Sequence, residues 1–117
     1  MSMIKALVVW VDGSSSYQAI KQSRSILEME QLLEGCITNV EVGKDATMYY
    51  NEIGQFKGLS YNEVATEIAR ELGCDVGEDG IYGNVIITGT DDKFGNTKAV
   101  PKRLADDIIN LAEMRCV

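Results

Sequence analysis

The chain of 117 residues carries 18 acidic against 11 basic side chains, a formal net charge of −7, and is 45% hydrophobic. That length fits one domain spanning residues 1–117, which would bury roughly two-thirds of its unfolded surface. The acidic balance argues against direct nucleic-acid binding through phosphates, which needs a basic face, and the absence of histidine removes His-dependent triads, His metal sites and the usual near-neutral general base.

The run Ile4 to Val11 is nearly continuous apolar and β-branched, the pattern of a strand buried on both faces. Asp12-Gly13 is turn chemistry, and Ser14-Ser15-Ser16 extends the loop. Such a serine run could cradle a phosphate; a solvated hairpin loop is the commoner role. Tyr17 to Gln22 returns as a second strand. Ser25 and Glu28 have the spacing of a capping box opening a helix, with Ile26, Met29, Leu32 and Leu33 on one face and Gly35 as its left-handed stop. Cys36 to Val42 alternates as a strand, and Gly43-Lys44-Asp45 turns the chain.

The stretch Tyr49 to Asn62, YYNEIGQFKGLSYN, organises the middle. Asn51-Glu52-Ile53-Gly54 reads as a type I turn: the Asn side chain can bond backbone two residues on, and Gly accepts φ > 0. Its flanks, Ala46 to Tyr50 and Gln55 to Leu59, then pair as strands. Ser60 and Glu63 form a second capping box, followed by a stripe of Val64, Ile68 and Leu72 and by Gly73 as the stop. Cys74 to Gly83 is a glycine-rich acidic loop. Its carboxylates disfavour phosphate, and its spacing lacks the ligands of a calcium loop. Val85 to Thr88 is a short buried strand, with Gly89 at a bulge or close backbone approach. Thr90 to Thr97 is a polar loop. Pro101 suits the first position of a last helix, whose inner stripe is Leu104, Ile108 and Leu111. The order β-β-α-β-β-β-α-β-α predicts an α+β fold with a mostly antiparallel sheet and three helices.

No apolar run approaches a membrane span, and Met1 to Lys5 lacks the pattern of a signal peptide. Cys36, Cys74 and Cys116 form no CxxC pair, which suits free thiols in the cytoplasm. Cys36 reads as a small core residue, and Cys116 as a thiol that could cross-link on oxidation. No cofactor and no metal are expected; a homo-oligomer stays open.

Four pieces carry a resemblance: Gly35-Cys36-Ile37; Asn51-Glu52-x-Gly54-x-x-x-Gly58-Leu59-x-x-Asn62; Gly83 to Asp92; and Gly95-Asn96-Thr97 before Pro101. Across about residues 26–113 the chain resembles a domain-of-unknown-function family of small proteins found in tailed phages and mobile elements. Members often have Pro after the Gly-Leu pair and Arg after the second Asn, where this chain has Ser60 and Glu63. The resemblance implies a phage or mobile-element origin and supplies no catalytic residue.

Two functional expectations follow. The first is a phage-type accessory protein that counters host defence by sequestering a small anionic ligand such as a signalling nucleotide. Lys98, Lys102 and Arg103 would hold the anion at a helix start, with Thr97 and Asn96 as further donors and Tyr50 and Phe56 as stacking rings. The second is an acidic protein–protein inhibitor, in the extreme a DNA mimic, of a host defence or nucleic-acid-processing protein. Glu28, Glu30 and Glu34 would supply carboxylates on the first helix, and Glu63, Glu67 and Glu71 on the second. An enzyme built on Asp91-Asp92 or Asp12 ranks last, because no partner stands at a recognisable spacing.

Overall fold

The computed structural model describes residues 2–115. Five strands and three helices follow one another as β1 (Met3–Val9), β2 (Ser15–Lys21), α1 (Ser25–Leu32), β3 (Ile37–Val42), β4 (Ala46–Asn51), α2 (Glu63–Glu71), β5 (Val85–Gly89) and α3 (Lys102–Arg115). The strands form one sheet in the order β2-β1-β5-β4-β3, and every pair is antiparallel. The expected α+β class, antiparallel sheet and three helices are all present. All five residues of β5 are buried, as a central strand covered on both faces requires.

The period-2 alternation of the strands sorts the core into two layers. Leu7, Val9, Met48, Val85 and Ile87 meet Val64, Ala65, Ile68 and Ala69 of α2 and Ala105, Ile108 and Ala112 of α3. On the other face Ile4, Ala6, Val8, Ile20, Tyr49 and Ile86 pack on Met29 of α1 and on Leu33 directly after it. The segment after β5 is tied back at several points: Gly89 N–H donates to Lys98 O at 2.9 Å, and Gln22 Nε2 to Thr97 O at 2.9 Å. Gly89 is held to close approach, since a Cβ there would lie 2.4 Å from Ala99 O.

Several local expectations are corrected. Gln55 to Leu59 is not a strand: turns run through Gly58, and Leu59 follows them without regular structure. Two bonds shape this segment: Lys57 N–H donates to Ile53 O at 3.0 Å and Leu59 N–H to Gly54 O at 3.0 Å. Asn51 does bond two residues on, its Oδ1 accepting from Ile53 N–H at 2.9 Å, while its Nδ2 donates to Leu33 O at 2.9 Å. Gly54 lies outside the left-handed region; a Cβ there would sit 2.5 Å from Tyr82 O, so contact rather than φ demands glycine. Neither capping box forms. Ser25 lies inside α1, with its hydroxyl 2.7 Å from Thr97 Oγ1, and Glu28 accepts from Lys21 N–H at 3.1 Å. The cap of α2 is Asn62, two residues beyond Ser60, whose Oδ1 accepts from Ala65 N–H at 3.0 Å.

After α1 two successive residues take positive φ, Glu34 at 63 and the expected Gly35 at 146. Ile26 is about half exposed, because α1 turns Met29 to the core, and Cys36, which precedes β3, is exposed as well. The serine loop closes on itself, Asp12 Oδ1 accepting from Ser14 N–H at 2.9 Å and from its hydroxyl at 2.6 Å. Cys116 lies outside the described residues. No helix is long and apolar enough to cross a membrane among the described residues.

Candidate functional site

Asn62 builds one wall of a cleft between the 76–82 segment and the turn after β4. It is fully buried. Its Nδ2 donates to Val9 O at 3.1 Å and Gly83 O at 3.0 Å while Oδ1 caps α2. Its backbone N–H donates to Ile81 O at 2.8 Å. One side chain thus locks the start of α2 to β1 and to the 81–83 segment. Next to it, Thr66 Oγ1 accepts from Ile81 N–H at 3.0 Å. Arg70 Nη2 donates to Gly77 O at 3.2 Å and Glu78 O at 3.1 Å. The acidic glycine-rich loop is therefore pinned to α2 by a guanidinium that binds its carbonyls.

The pinned loop faces the turn after β4. Between them lies a cleft of about 360 Å³ lined by Thr38, Tyr50 to Phe56, Val76 to Gly80, and Tyr82. Its ionisable lining residues are Glu52, Glu78 and Asp79 together with Tyr50 and Tyr82. No lysine or arginine lines it. Burial, then the nearby charge of Asp75, pushes the Tyr50 phenol above its ordinary range, so at neutral pH it stays protonated. Phe56 is 90% exposed at the rim and Ile53 about half exposed. Tyr82 stacks obliquely on Tyr61, ring centroids 5.2 Å apart. The cleft thus combines negative charge, hydroxyl donors and open apolar surface.

The residues expected to hold an anion are not gathered in one cleft. Lys98 lines a groove of about 320 Å³ with Lys44, and Asp45, Asp91 and Asp92 line it too. Lys102 is exposed and paired with Asp106 at 3.0 Å, which raises the pKa of its ammonium. Arg103 is exposed and lines neither cavity. The Asn96 backbone N–H and side-chain amide donate to Asp92 at 3.0 and 3.3 Å. Thr97 is buried against Ser25. Tyr50 and Phe56 line the acidic cleft instead. Sequence reasoning passed over Glu52, Glu78, Asp79 and Tyr82 as site residues. What joins them is the close contact of Gly54 with Tyr82, a pairing of distant segments with no local pattern.

Among the described residues, no three His, Cys, Asp or Glu side chains are grouped so as to hold a metal ion. Of the acidic residues lining the cleft, Glu52 comes from the turn after β4 and Glu78 and Asp79 from the pinned loop. The chain belongs to a domain family of unknown function (DUF3846), whose model matches residues 4–113. No curated protein and no solved structure matches the chain.

Proposed function

We propose that this member of the family is a non-enzymatic binding protein that receives a basic segment of a protein partner in its acidic cleft. The observation that carries this reading is the wall itself, three carboxylates with no basic side chain among them. A Lys or Arg side chain entering there meets carboxylates for its charge and, at Phe56, an open ring for its stem or its cation. The net charge of −7 adds a long-range attraction that speeds encounter with a basic surface. In the phage-type setting that the family resemblance implies, the partner would be a host defence or nucleic-acid-processing protein whose basic surface is covered, in the manner of a DNA mimic. Capture of a small anion such as a signalling nucleotide would instead use the groove of Lys44 and Lys98. Three aspartates against two lysines in that groove leave it a weaker anion site than the cleft is a cation site.

Calorimetric titration with a synthetic peptide of five Thr-Lys repeats tests the reading, with ATP as the anionic control. The peptide is expected to bind, to bind less as salt rises, and to be lost in the Glu52→Gln, Glu78→Gln, Asp79→Asn variant. Peptide affinity unchanged in that variant, or binding of ATP alone, refutes it.

A further inference from the structure

The cleft opens beside a sheet edge, and the backbone of that edge is turned outward. In the order β2-β1-β5-β4-β3, β3 has a neighbour on one side only. Its register with β4 runs without a break from Ile37↔Asn51 to Val42↔Ala46, and Glu52 N–H donates to Cys36 O at 3.0 Å. In an antiparallel ladder hydrogen-bonded and non-hydrogen-bonded pairs alternate. The Cys36–Glu52 bond therefore assigns Thr38, Val40 and Val42 to pairs that bond to β4. It leaves the N–H and C=O groups of Ile37, Asn39 and Glu41 pointing away from β4. A second contact agrees: Glu41 O accepts from Cys74 Sγ at 3.5 Å, a group that lies off β4. The thiol covers that end of the edge. At the other end Ile37 and Asn39 keep their outward groups open, and this is the end where Thr38 lines the cleft.

Edge protection is confined to the far end, where Glu41 is charged and Cys74 covers its carbonyl; the sequence ITNVEV otherwise has no Pro and no Lys, and its ladder has no bulge, devices by which edges are usually protected. A strand laid against β3 would place every second side chain on the face of Thr38, hence toward Glu52, Glu78 and Asp79. The charge of those walls selects the occupant. A second copy would bring the same carboxylates and another net −7, whereas a basic segment is complementary.

We infer that the chain binds its partner by strand addition: an extended segment with Lys or Arg at alternate positions pairs with β3 at Ile37 and Asn39 and directs those side chains into the acidic cleft. This rests on the reading of the cleft as a cation site and specifies its partner as an extended, alternating basic peptide.

The Thr-Lys repeat peptide is the probe, in three forms: unmodified, N-methylated at every Thr, and N-methylated at every Lys. In a strand, alternate N–H groups face opposite edges, so one methylated form loses its bonds to β3 and the other does not. The expected result is a loss of about tenfold or more in affinity in one form only. Loss in the Thr form identifies antiparallel addition and loss in the Lys form parallel addition; each supports the inference. Equal affinity of all three forms overturns strand addition and leaves the cation cleft standing. Equal loss in both methylated forms overturns it as well. A peptide-independent dimer that protects the Asn39 amide from hydrogen exchange replaces the occupant with a second copy. No binding of the unmodified peptide removes the cleft reading and the inference with it.

Discussion

Replacing Asn62 by Ala removes three hydrogen bonds from a site that water does not reach. Ala65 N–H loses its cap, and Val9 O and Gly83 O each lose a donor. Loss of an N-cap costs about 1 kcal/mol. A buried carbonyl deprived of its donor costs about 1 kcal/mol or somewhat more, so the sum is about 3 kcal/mol. For a domain of this size that lowers the Tm by roughly 10 °C and is a sizeable share of a total stability of about 5–15 kcal/mol. Urea unfolding followed by circular dichroism measures it. Asn62→Ser restores a capping oxygen but neither carbonyl donor, so it should recover about 1 kcal/mol of the loss. A cost below about 1 kcal/mol for Asn62→Ala, or no recovery in the Ser variant, would show that Asn62 is not the post joining α2 to β1 and the cleft wall.

Gly54→Ala sets a Cβ 2.5 Å from Tyr82 O, and a backbone atom cannot yield cheaply; thermal unfolding should show a loss of about 1–3 kcal/mol. Gly58→Ala at φ 78 meets no atom within 4 Å, so it should carry backbone strain alone, about 1 kcal/mol, and a larger loss there than at Gly54 would reverse this reasoning. The Asn96 N–H, joined by that of Phe94, holds the Asp92 carboxyl below its ordinary value of 3.8. A depressed folded pKa contributes stability above the unfolded value that is lost as pH falls through the folded one. The Tm of Asp92→Asn should therefore lie below that of the parent at neutral pH and approach it as the pH drops under 3.8; a constant gap across that range would contradict this.

What could be read in the chain was whatever repeats locally. The apolar run of β1, the buried run of β5 and the stripe of α2 each state their burial in their own period. Asn51 likewise announced its Asx turn. The site was hidden because its parts are bonded across long separations. Asn62 reads as an interior position of a capping box until Val9 and Gly83 are seen to meet its amide. Gly54 reads as a turn glycine until Tyr82 is seen against it. The basic residues Lys98, Lys102 and Arg103 are close in sequence, but the fold gives them different surroundings: Lys102 turns to Asp106 and Lys98 lines a groove that holds three aspartates. Thr97 looked like an exposed donor and is instead a buried clamp on Ser25.

The most direct measurement of the central claim is a pair of chemical-shift titrations of nitrogen-15-labelled protein, one with the Thr-Lys peptide and one with ATP. Binding in the acidic cleft predicts that the peptide shifts the amides of residues 50–56 and 76–82 in a saturable way while ATP leaves them unmoved. Saturable shifts with ATP at residues 97–103, and none with the peptide at the cleft, would contradict the account and return the site to the start of α3.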